Sequence, residues 1–350
     1  MQTEITRRTA PAEPAEPTEP ADQAEPAEPT EPAEPTEPAD QAEPAEPGEP
    51  LDPPAAAAQA VDGRPMTVRG AGGVELNVLV YEPVGRPKRR PFLLLHGIAA
   101  TARSWQQVAV RLAAAGHPTY ALDFRGHGLS ERPDDGYDLS VFAADTAATL
   151  NAIVARGAEP LVAGHSLGAS VLLELFRAGK GAPQVAGAVL VEGGLAGATA
   201  QFATWEECLA GMALPPVDGL PAAAVRGFLA GHNPGWSADR LEAAMACFDV
   251  GVQGTASWRL SRTRFESLLA ALWTEDLPAG WEALGSAGIP ALFVAADTGD
   301  KRWSEAKAEA SRRLADLVSG APVQWLGRDH DVPLAEPATL ASLLLGLAGD

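Results

Sequence analysis

One serine in this sequence stands in a pattern that nucleophilic catalysis requires. Residues 161–169 read Leu-Val-Ala-Gly-His-Ser-Leu-Gly-Ala, so Ser166 lies in a Gly-x-Ser-x-Gly motif between a predicted strand and a predicted helix. A nucleophile on such a sharp turn has strained backbone angles, and Gly164 and Gly168 leave room for the close approach of the chain. The turn also sets the free N–H groups of the helix N-terminus beneath a developing oxyanion. We therefore predict that Ser166 is a catalytic nucleophile.

A serine hydroxyl attacks a carbonyl group only when a base removes its proton, and the chain contains six histidines. His330 follows the last predicted strand and precedes the final predicted helix, which places it on the same side of the sheet as Ser166. We predict that His330 is the base. His165 flanks the nucleophile and is expected to face the scaffold, whereas His96 and His127 lie in glycine turns and are expected to be structural. The remaining two histidines carry no motif: His117 and His232.

The base in turn needs a carboxylate that fixes its tautomer, in the chain order serine, acid, histidine. Asp300 follows the strand predicted over 289–295 and is the preferred candidate for the acid. Asp297, in the same loop, is an alternative. Glu192 follows the preceding predicted strand and is a second alternative.

Acyl chemistry also needs two N–H donors for the oxyanion. The backbone of Leu167, the residue after the nucleophile, is expected to supply one donor. The loop after His96-Gly97 is expected to supply the other, through the N–H of Ile98.

The elements that must position these residues alternate along the chain. A predicted hairpin over 66–69 and 74–81 comes first, and continuous apolar runs then predict strands buried on both faces. Strands alternating with helices imply a mostly parallel sheet with helices on both faces, which is an α/β fold class. The predicted strands are 91–97, 118–124, 161–163, 185–191, 289–295 and 322–326, and the predicted helices are 105–115, 141–155, 166–178, 304–317 and 334–347.

Two segments break the alternation and set the predicted domain boundaries. Residues 1–60 are a repetitive tail rich in Pro, Glu and Ala, whose first 52 residues hold fifteen acidic residues and two arginines. Such a chain cannot bury a core, so we predict a disordered tail, with docking to a basic protein partner as the alternative. Residues 61–350 form one predicted domain. Within it, residues of about 195–284 show helical spacing, no obvious strand and five tryptophans, and are interpreted as a helical lid.

The composition argues against several classes of protein. The formal net charge is −20, which disfavours binding to nucleic acid. Two cysteines, Cys208 and Cys247, cannot form a disulfide framework or a zinc site, and free thiols are expected. No signal peptide, membrane span, dinucleotide or phosphate-binding motif or metal-ligand cluster is recognised, so we predict a cytoplasmic protein without a cofactor.

Together, these motifs resemble those of the α/β-hydrolase superfamily, in particular its branch of lidded serine esterases and epoxide-hydrolase-like proteins. The resemblance spans roughly residues 66–350 and implies the α/β-hydrolase fold. It also implies Ser166 as nucleophile, His330 as base, and Ile98 and Leu167 as oxyanion donors. The family usually has a glycine after the acid-bearing strand, where this chain has Ala296. The matching segments are Leu95–Gly97, Asp123–Ser130, Gly164–Gly168, Asp329-His330 and Glu336-Pro337.

The resemblance implies a serine hydrolase of the carboxylesterase type. The tryptophan-rich lid is expected to enclose a mainly apolar pocket, so our hypothesis for the substrate is a small or medium, mainly hydrophobic ester, lactone or thioester. Similar haloalkane dehalogenases and epoxide hydrolases carry Asp where this chain has Ser166, so both activities are disfavoured. Two alternatives stay open. The first is a carbon–carbon bond hydrolase, lyase or cyclase with the same triad, and the second is a receptor-like protein that binds a small molecule without turnover.

Overall fold

The computed structural model describes residues 63–83, 85, 89–179, 185–318, 320–327 and 329–349. The predicted tail over residues 1–60 lies outside the described residues. Within the described part, no helix combines the length and apolarity that crossing a membrane requires. Cys208 and Cys247 are both free thiols.

An eight-stranded sheet runs through the described residues, in the spatial order β1-β2-β4-β3-β5-β6-β9-β10. The pairings β1–β2 and β2–β4 are antiparallel, and every pairing from β4 to β10 is parallel. The parallel part therefore presents the carboxyl ends of six neighbouring strands at one edge. The strands are β1 (Arg64–Arg69), β2 (Glu75–Tyr81), β3 (Phe92–Leu95), β4 (Thr119–Leu122), β5 (Leu161–His165), β6 (Gly187–Val191), β9 (Ala291–Ala296) and β10 (Val323–Leu326).

The central strands are apolar because both of their faces are covered. Leu93 and Leu95 of β3 pack into the core on one face of the sheet, and Phe92 and Leu94 pack into the core on the other. All four side chains are fully buried. This double burial produces the continuous apolar run, rather than an alternating one, that predicted a strand in a parallel sheet.

Helices cover both faces of the sheet, in agreement with the predicted fold class. Polar residues set where several of them begin; Asp138, for example, accepts a hydrogen bond of 3.0 Å from Val141 N at the start of α2. The helices outside the insertion described next are α1 (Gln106–Ala114), α2 (Leu139–Val154), α3 (Leu167–Arg177), α10 (Lys301–Leu317), α11 (Val332–Ala335) and α12 (Pro337–Ala348).

A mainly helical segment lies between β6 and β9, at residues 195–287, and is called the insertion below. The expectation that it contains no strand is wrong, because two short antiparallel strands pair Phe248 with Trp258 and Val250 with Ala256. The elements of the insertion are α4 (Ala198–Gln201), α5 (Trp205–Gly211), α6 (Ala222–His232), α7 (Ala238–Met245), β7 (Phe248–Val250), β8 (Ala256–Trp258), α8 (Arg262–Trp273) and α9 (Leu277–Ala287).

Candidate active site

Ser166 lies on the turn between β5 and α3, with φ 51° and ψ −114°. Its backbone N–H donates a hydrogen bond of 2.9 Å to Val191 O, which ties the turn to the end of β6. A Cβ atom on Gly164 would overlap the backbone of Gly168, and a Cβ on Gly168 would overlap Leu95 O. The two glycines of the motif are therefore required by close backbone contacts, as the sequence predicts.

Only two non-glycine residues in the described part of the chain have positive φ, namely Ser166 and Glu192, whose φ is 46°. Such backbone conformations cost energy in residues with a side chain and concentrate at functional sites. Both residues follow directly after neighbouring parallel strands, β5 and β6. The strain thus marks two adjacent positions at the carboxyl edge of the sheet.

Glu192 and His330 form a hydrogen-bonded pair at this edge. His330 Nδ1 lies 3.0 Å from Glu192 Oε2. The Glu192 side chain is fully buried, whereas 47% of the His330 side chain is exposed. A buried carboxylate on Nδ1 holds the imidazole ring in one orientation and leaves Nε2 free for proton transfer.

The structure differs from the sequence-based preference for the acid, because Asp300 does not pair with His330. Asp300 instead caps α10 and accepts a hydrogen bond of 3.0 Å from Trp303 N. Asp297, the first alternative, accepts hydrogen bonds from Gly299 N at 3.1 Å and Ser304 Oγ at 2.8 Å. Both aspartates therefore stabilise the start of α10, and the carboxylate beside His330 is Glu192.

A buried lysine stands behind Glu192, and sequence reasoning missed it. Lys307 Nζ donates to Glu192 Oε1 at 2.7 Å, to Glu192 Oε2 at 3.0 Å and to Ala296 O at 2.8 Å. Its side chain is only 3% exposed, yet all three of its donor positions have acceptors. Glu192 Oε1 also accepts a hydrogen bond from Ala296 N at 2.5 Å.

These contacts shift the pKa values of the pair in opposite directions. Burial raises the pKa of Glu192, but the hydrogen bond with His330 and the charge and hydrogen bonds of Lys307 outweigh it, so the net pKa is lowered. Burial lowers the pKa of His330, but the hydrogen bond with Glu192 and the charges of Asp331 and Glu192 raise it above its usual value. The pair therefore favours an ionised Glu192 carboxylate beside a His330 imidazole that is more basic than usual.

Three further histidines hold the surrounding loops. His165 Nε2 lies 2.8 Å from His330 O, and burial lowers the pKa of His165 to about 4, so the neutral ring donates to that carbonyl group. His127 Nε2 lies 2.8 Å from Ile98 O, and His96 Nε2 accepts a hydrogen bond of 3.1 Å from Phe124 N. The positions agree with the structural roles expected for these residues.

The two predicted oxyanion donors line the same cavity as Ser166. Leu167 is the first residue of α3, so its N–H has no acceptor within the helix. The N–H of Ile98 belongs to the Gly97–Ile98 peptide group, whose carbonyl oxygen lies 2.8 Å from His96 Nδ1. Ile98 donates no backbone hydrogen bond to the described residues.

The cavity has a volume of about 570 Å³ and contains Ser166, Glu192 and His330 in its lining. Its walls are mainly apolar, which suits a hydrophobic ligand. Of the five tryptophans in the insertion, only Trp258 lines the cavity; Trp281, for example, is buried and donates to Gly194 O at 2.7 Å. Besides Ile98 and Leu167, the large apolar lining residues are Phe202, Met212, Leu214, Trp258, Phe265, Leu269, Leu272 and Trp303.

A model of the alpha/beta hydrolase family matches residues 92–343. The chain belongs to this family. Among the described residues of this alpha/beta hydrolase, no group of three or more His, Cys, Asp or Glu could hold a metal ion.

Two curated relatives match shorter segments. A non-heme chloroperoxidase of Streptomyces lividans is 36% identical over 114 residues, covering 32% of this chain and 40% of that protein. A 2-(acetamidomethylene)succinate hydrolase of Mesorhizobium japonicum is 42% identical over 77 residues, covering 22% of this chain and 27% of that protein. The matched segments thus span less than half of each relative.

A solved structure covers far more of the alpha/beta hydrolase. The crystal structure of E-2-(acetamidomethylene)succinate hydrolase superposes with a TM-score of 0.65 and 24% identity, covering 82% of this chain and 100% of that chain. At this identity the likeness shows the fold.

Proposed function

We propose that this alpha/beta hydrolase is a serine hydrolase that cleaves a small or medium, mainly hydrophobic ester, lactone or thioester through an acyl-enzyme on Ser166. The observation that carries the proposal is the shared cavity. Ser166, whose backbone is strained, and the hydrogen-bonded pair of Glu192 and His330 line one mainly apolar space. We assign the triad as Ser166, His330 and Glu192, with the insertion as the lid.

In the proposed reaction, Ser166 Oγ attacks the carbonyl carbon while His330 Nε2 takes its proton. The N–H groups of Ile98 and Leu167 donate to the resulting oxyanion. When the tetrahedral intermediate collapses, His330 returns the proton to the leaving alkoxide or thiolate. His330 then removes a proton from water, whose oxygen attacks the acyl carbon, and finally returns that proton to Ser166 as the acid is released.

The charges of the cavity favour uncharged or cationic substrates over anionic ones. Its charged lining residues within the described chain are Glu192, Glu275 and Asp331, and none is Lys or Arg. A substrate carboxylate would therefore be desolvated without a cationic partner, which is costly. The same cost would apply to the succinate substrate in the name of the Mesorhizobium japonicum hydrolase, which therefore does not suit this cavity.

Labelling with a fluorophosphonate probe tests the nucleophile and the base. We expect the wild-type protein to be labelled, and the Ser166→Ala and His330→Ala variants to lose labelling. Ser267→Ala and His232→Ala are matched controls outside the cavity and should be labelled like the wild type. Unchanged labelling of Ser166→Ala would refute the assignment of the nucleophile.

A panel of substrates tests the reaction class. We expect turnover of p-nitrophenyl butyrate and of apolar lactones or thioesters, and little turnover of esters with a carboxylate in the acyl chain. Cleavage of a β-diketone without cleavage of esters would instead identify a carbon–carbon bond hydrolase. A labelled protein that turns over no member of the panel would contradict the proposed substrates and leave the triad intact.

A further inference from the structure

A second carboxyl group lines the cavity and takes no part in the proposed reaction. Glu275 lies in the loop between α8 and α9 and contributes to the cavity wall. Its Oε2 atom is buried and has no hydrogen-bond partner within the described residues. An unpaired buried carboxyl oxygen is costly, so native proteins keep such groups for a ligand or a reaction more often than by chance.

Among the described residues, no lysine or arginine lines the active-site cavity beside Glu275, and Arg177, which lines a second cavity with Glu275, is paired with Glu174. Burial raises its pKa to about 7, and a side-chain hydrogen bond from Ser170 only partly opposes that shift. The other charged groups that line the cavity are the carboxylates Glu192 and Asp331, and Glu192 is already neutralised by Lys307. The carboxyl group of Glu275 therefore has one hydrogen bond from Ser170 but no cationic partner in this cavity, and its Oε2 atom has no donor within the described residues.

Ser170 connects Glu275 to the helix that follows the nucleophile. Ser170 is four residues after Ser166, and its N–H donates to Ser166 O at 3.3 Å, as in one turn of helix. Ser166, Ser170 and Glu275 all line the same cavity. A substrate that occupies this cavity can therefore contact both Ser166 and Glu275.

We propose that Glu275 is a substrate-binding residue that accepts a hydrogen bond from a donor group of the substrate, preferably a protonated amine, in the same cavity as the reacting carbonyl carbon. The proposal rests on the proposed function for the identity of the reacting group. It narrows the substrate class to mainly apolar acyl compounds that carry an amine or, less favourably, a hydroxyl group. The unpaired Oε2 and the absence of Lys and Arg from the described lining both fit such a ligand.

Calorimetric titration of the full chain with n-hexylamine and 1-hexanol at pH 8 tests the proposal without requiring turnover. At this pH the amine is protonated and Glu275 is mainly ionised. We expect the wild-type protein to bind hexylammonium about tenfold or more tightly than hexanol, because charge-assisted hydrogen bonds are the stronger ones. The Glu275→Gln variant, which preserves the shape of the side chain, should lose this preference. Glu282→Gln, an exposed position in α9, is the matched control and should keep it.

A second measurement locates the bound amine. Hexylamine should slow fluorophosphonate labelling of Ser166 in the wild-type protein, and do so less in Glu275→Gln. An amine preference that survives in Glu275→Gln, or amine binding that leaves the labelling rate unchanged, would overturn the proposal. If the wild-type protein is never labelled but binds hexylamine through Glu275, the proposed function fails while the binding site stands.

Discussion

Lys307 is expected to set the pH range in which His330 works as a base. Its ammonium group shares Glu192 with the imidazole, and its positive charge lowers the pKa of His330. Removing that charge in Lys307→Met should therefore raise the pKa of His330. Because the base must be neutral to accept a proton, kcat/KM should then rise with pH at a higher pH than in the wild-type protein.

The size of the shift follows from the geometry. Glu192 Oε2 lies 3.0 Å from Lys307 Nζ and 3.0 Å from His330 Nδ1, so the two nitrogens are at most the sum of these distances apart, 6.0 Å. At that separation two unit charges interact by about 0.7 kcal/mol in water and about 2.8 kcal/mol at an effective dielectric constant of about 20. Since 47% of the His330 side chain is exposed, the lower part of this range applies. We expect an increase of about 0.5 to 1 pKa unit.

The assay is the pH dependence of kcat/KM for p-nitrophenyl butyrate. Lys301→Met is the matched control, because Lys301 lies on the same helix with 88% of its side chain exposed. Breaking the buried pair should also destabilise the protein by about 3–5 kcal/mol, so each profile is recorded below the unfolding temperature. A folded Lys307→Met variant whose acidic limb is unchanged, or moves to lower pH, would refute the electrostatic role of Lys307.

Three further predictions concern the acid, the cavity wall and the turn. Glu192→Gln should lower kcat by about 10⁴-fold. Asp300→Ala should leave kcat nearly unchanged and lower the free energy of unfolding by about 1 kcal/mol, because a helix cap is lost. Steady-state kinetics and chemical denaturation measure both effects, and equal losses of kcat in the two variants would contradict the assignment of the acid. Burial raises the pKa of Glu275 to about 7, so the folded state keeps a proton that the unfolded state loses as the pH rises from about 4.5 to 7, and the free energy of unfolding falls over this range. Glu275→Gln should therefore raise Tm at pH 8 and not at pH 4. A rise in Tm at pH 4 and not at pH 8 would contradict a raised pKa of Glu275. Gly168→Ala should destabilise the protein by about 2 kcal/mol or more, because its Cβ would overlap Leu95 O. Chemical denaturation measures this loss, and a midpoint of denaturation equal to that of the wild-type protein would argue against the tight turn.

The sequence predicted the sheet, the helices and the surroundings of Ser166 well because local patterns encode them. Continuous apolar runs marked the strands buried on both faces, and the glycines at 164 and 168 marked the close contacts of the turn. The carboxylate beside His330 was harder to predict. Asp300 and Glu192 each follow a strand whose carboxyl end lies at the same edge of the sheet. In the sequence alone, an aspartate that caps a helix cannot be distinguished from one that accepts a hydrogen bond from a histidine.

Two signals could have pointed to the observed arrangement. Glu192 is followed by two glycines, and a Cβ on Gly193 would contact Ser166 O, so the chain passes tightly beside the turn there. Lys307 lies on the same face of α10 as Ala310 and Leu314, both buried. A lysine on an apolar helix face requires a buried acceptor, and Glu192 is that acceptor. The role of Glu275 could not be predicted, since it depends on how the insertion folds over the sheet.

Ser170 and Glu275 line both the active-site cavity and a second cavity of about 350 Å³. These two side chains therefore form part of the boundary between the two spaces. Under the proposed function, we expect that shortening both side chains joins the spaces and lets longer acyl groups bind. Chain-length selectivity would then depend on two positions outside the proposed triad.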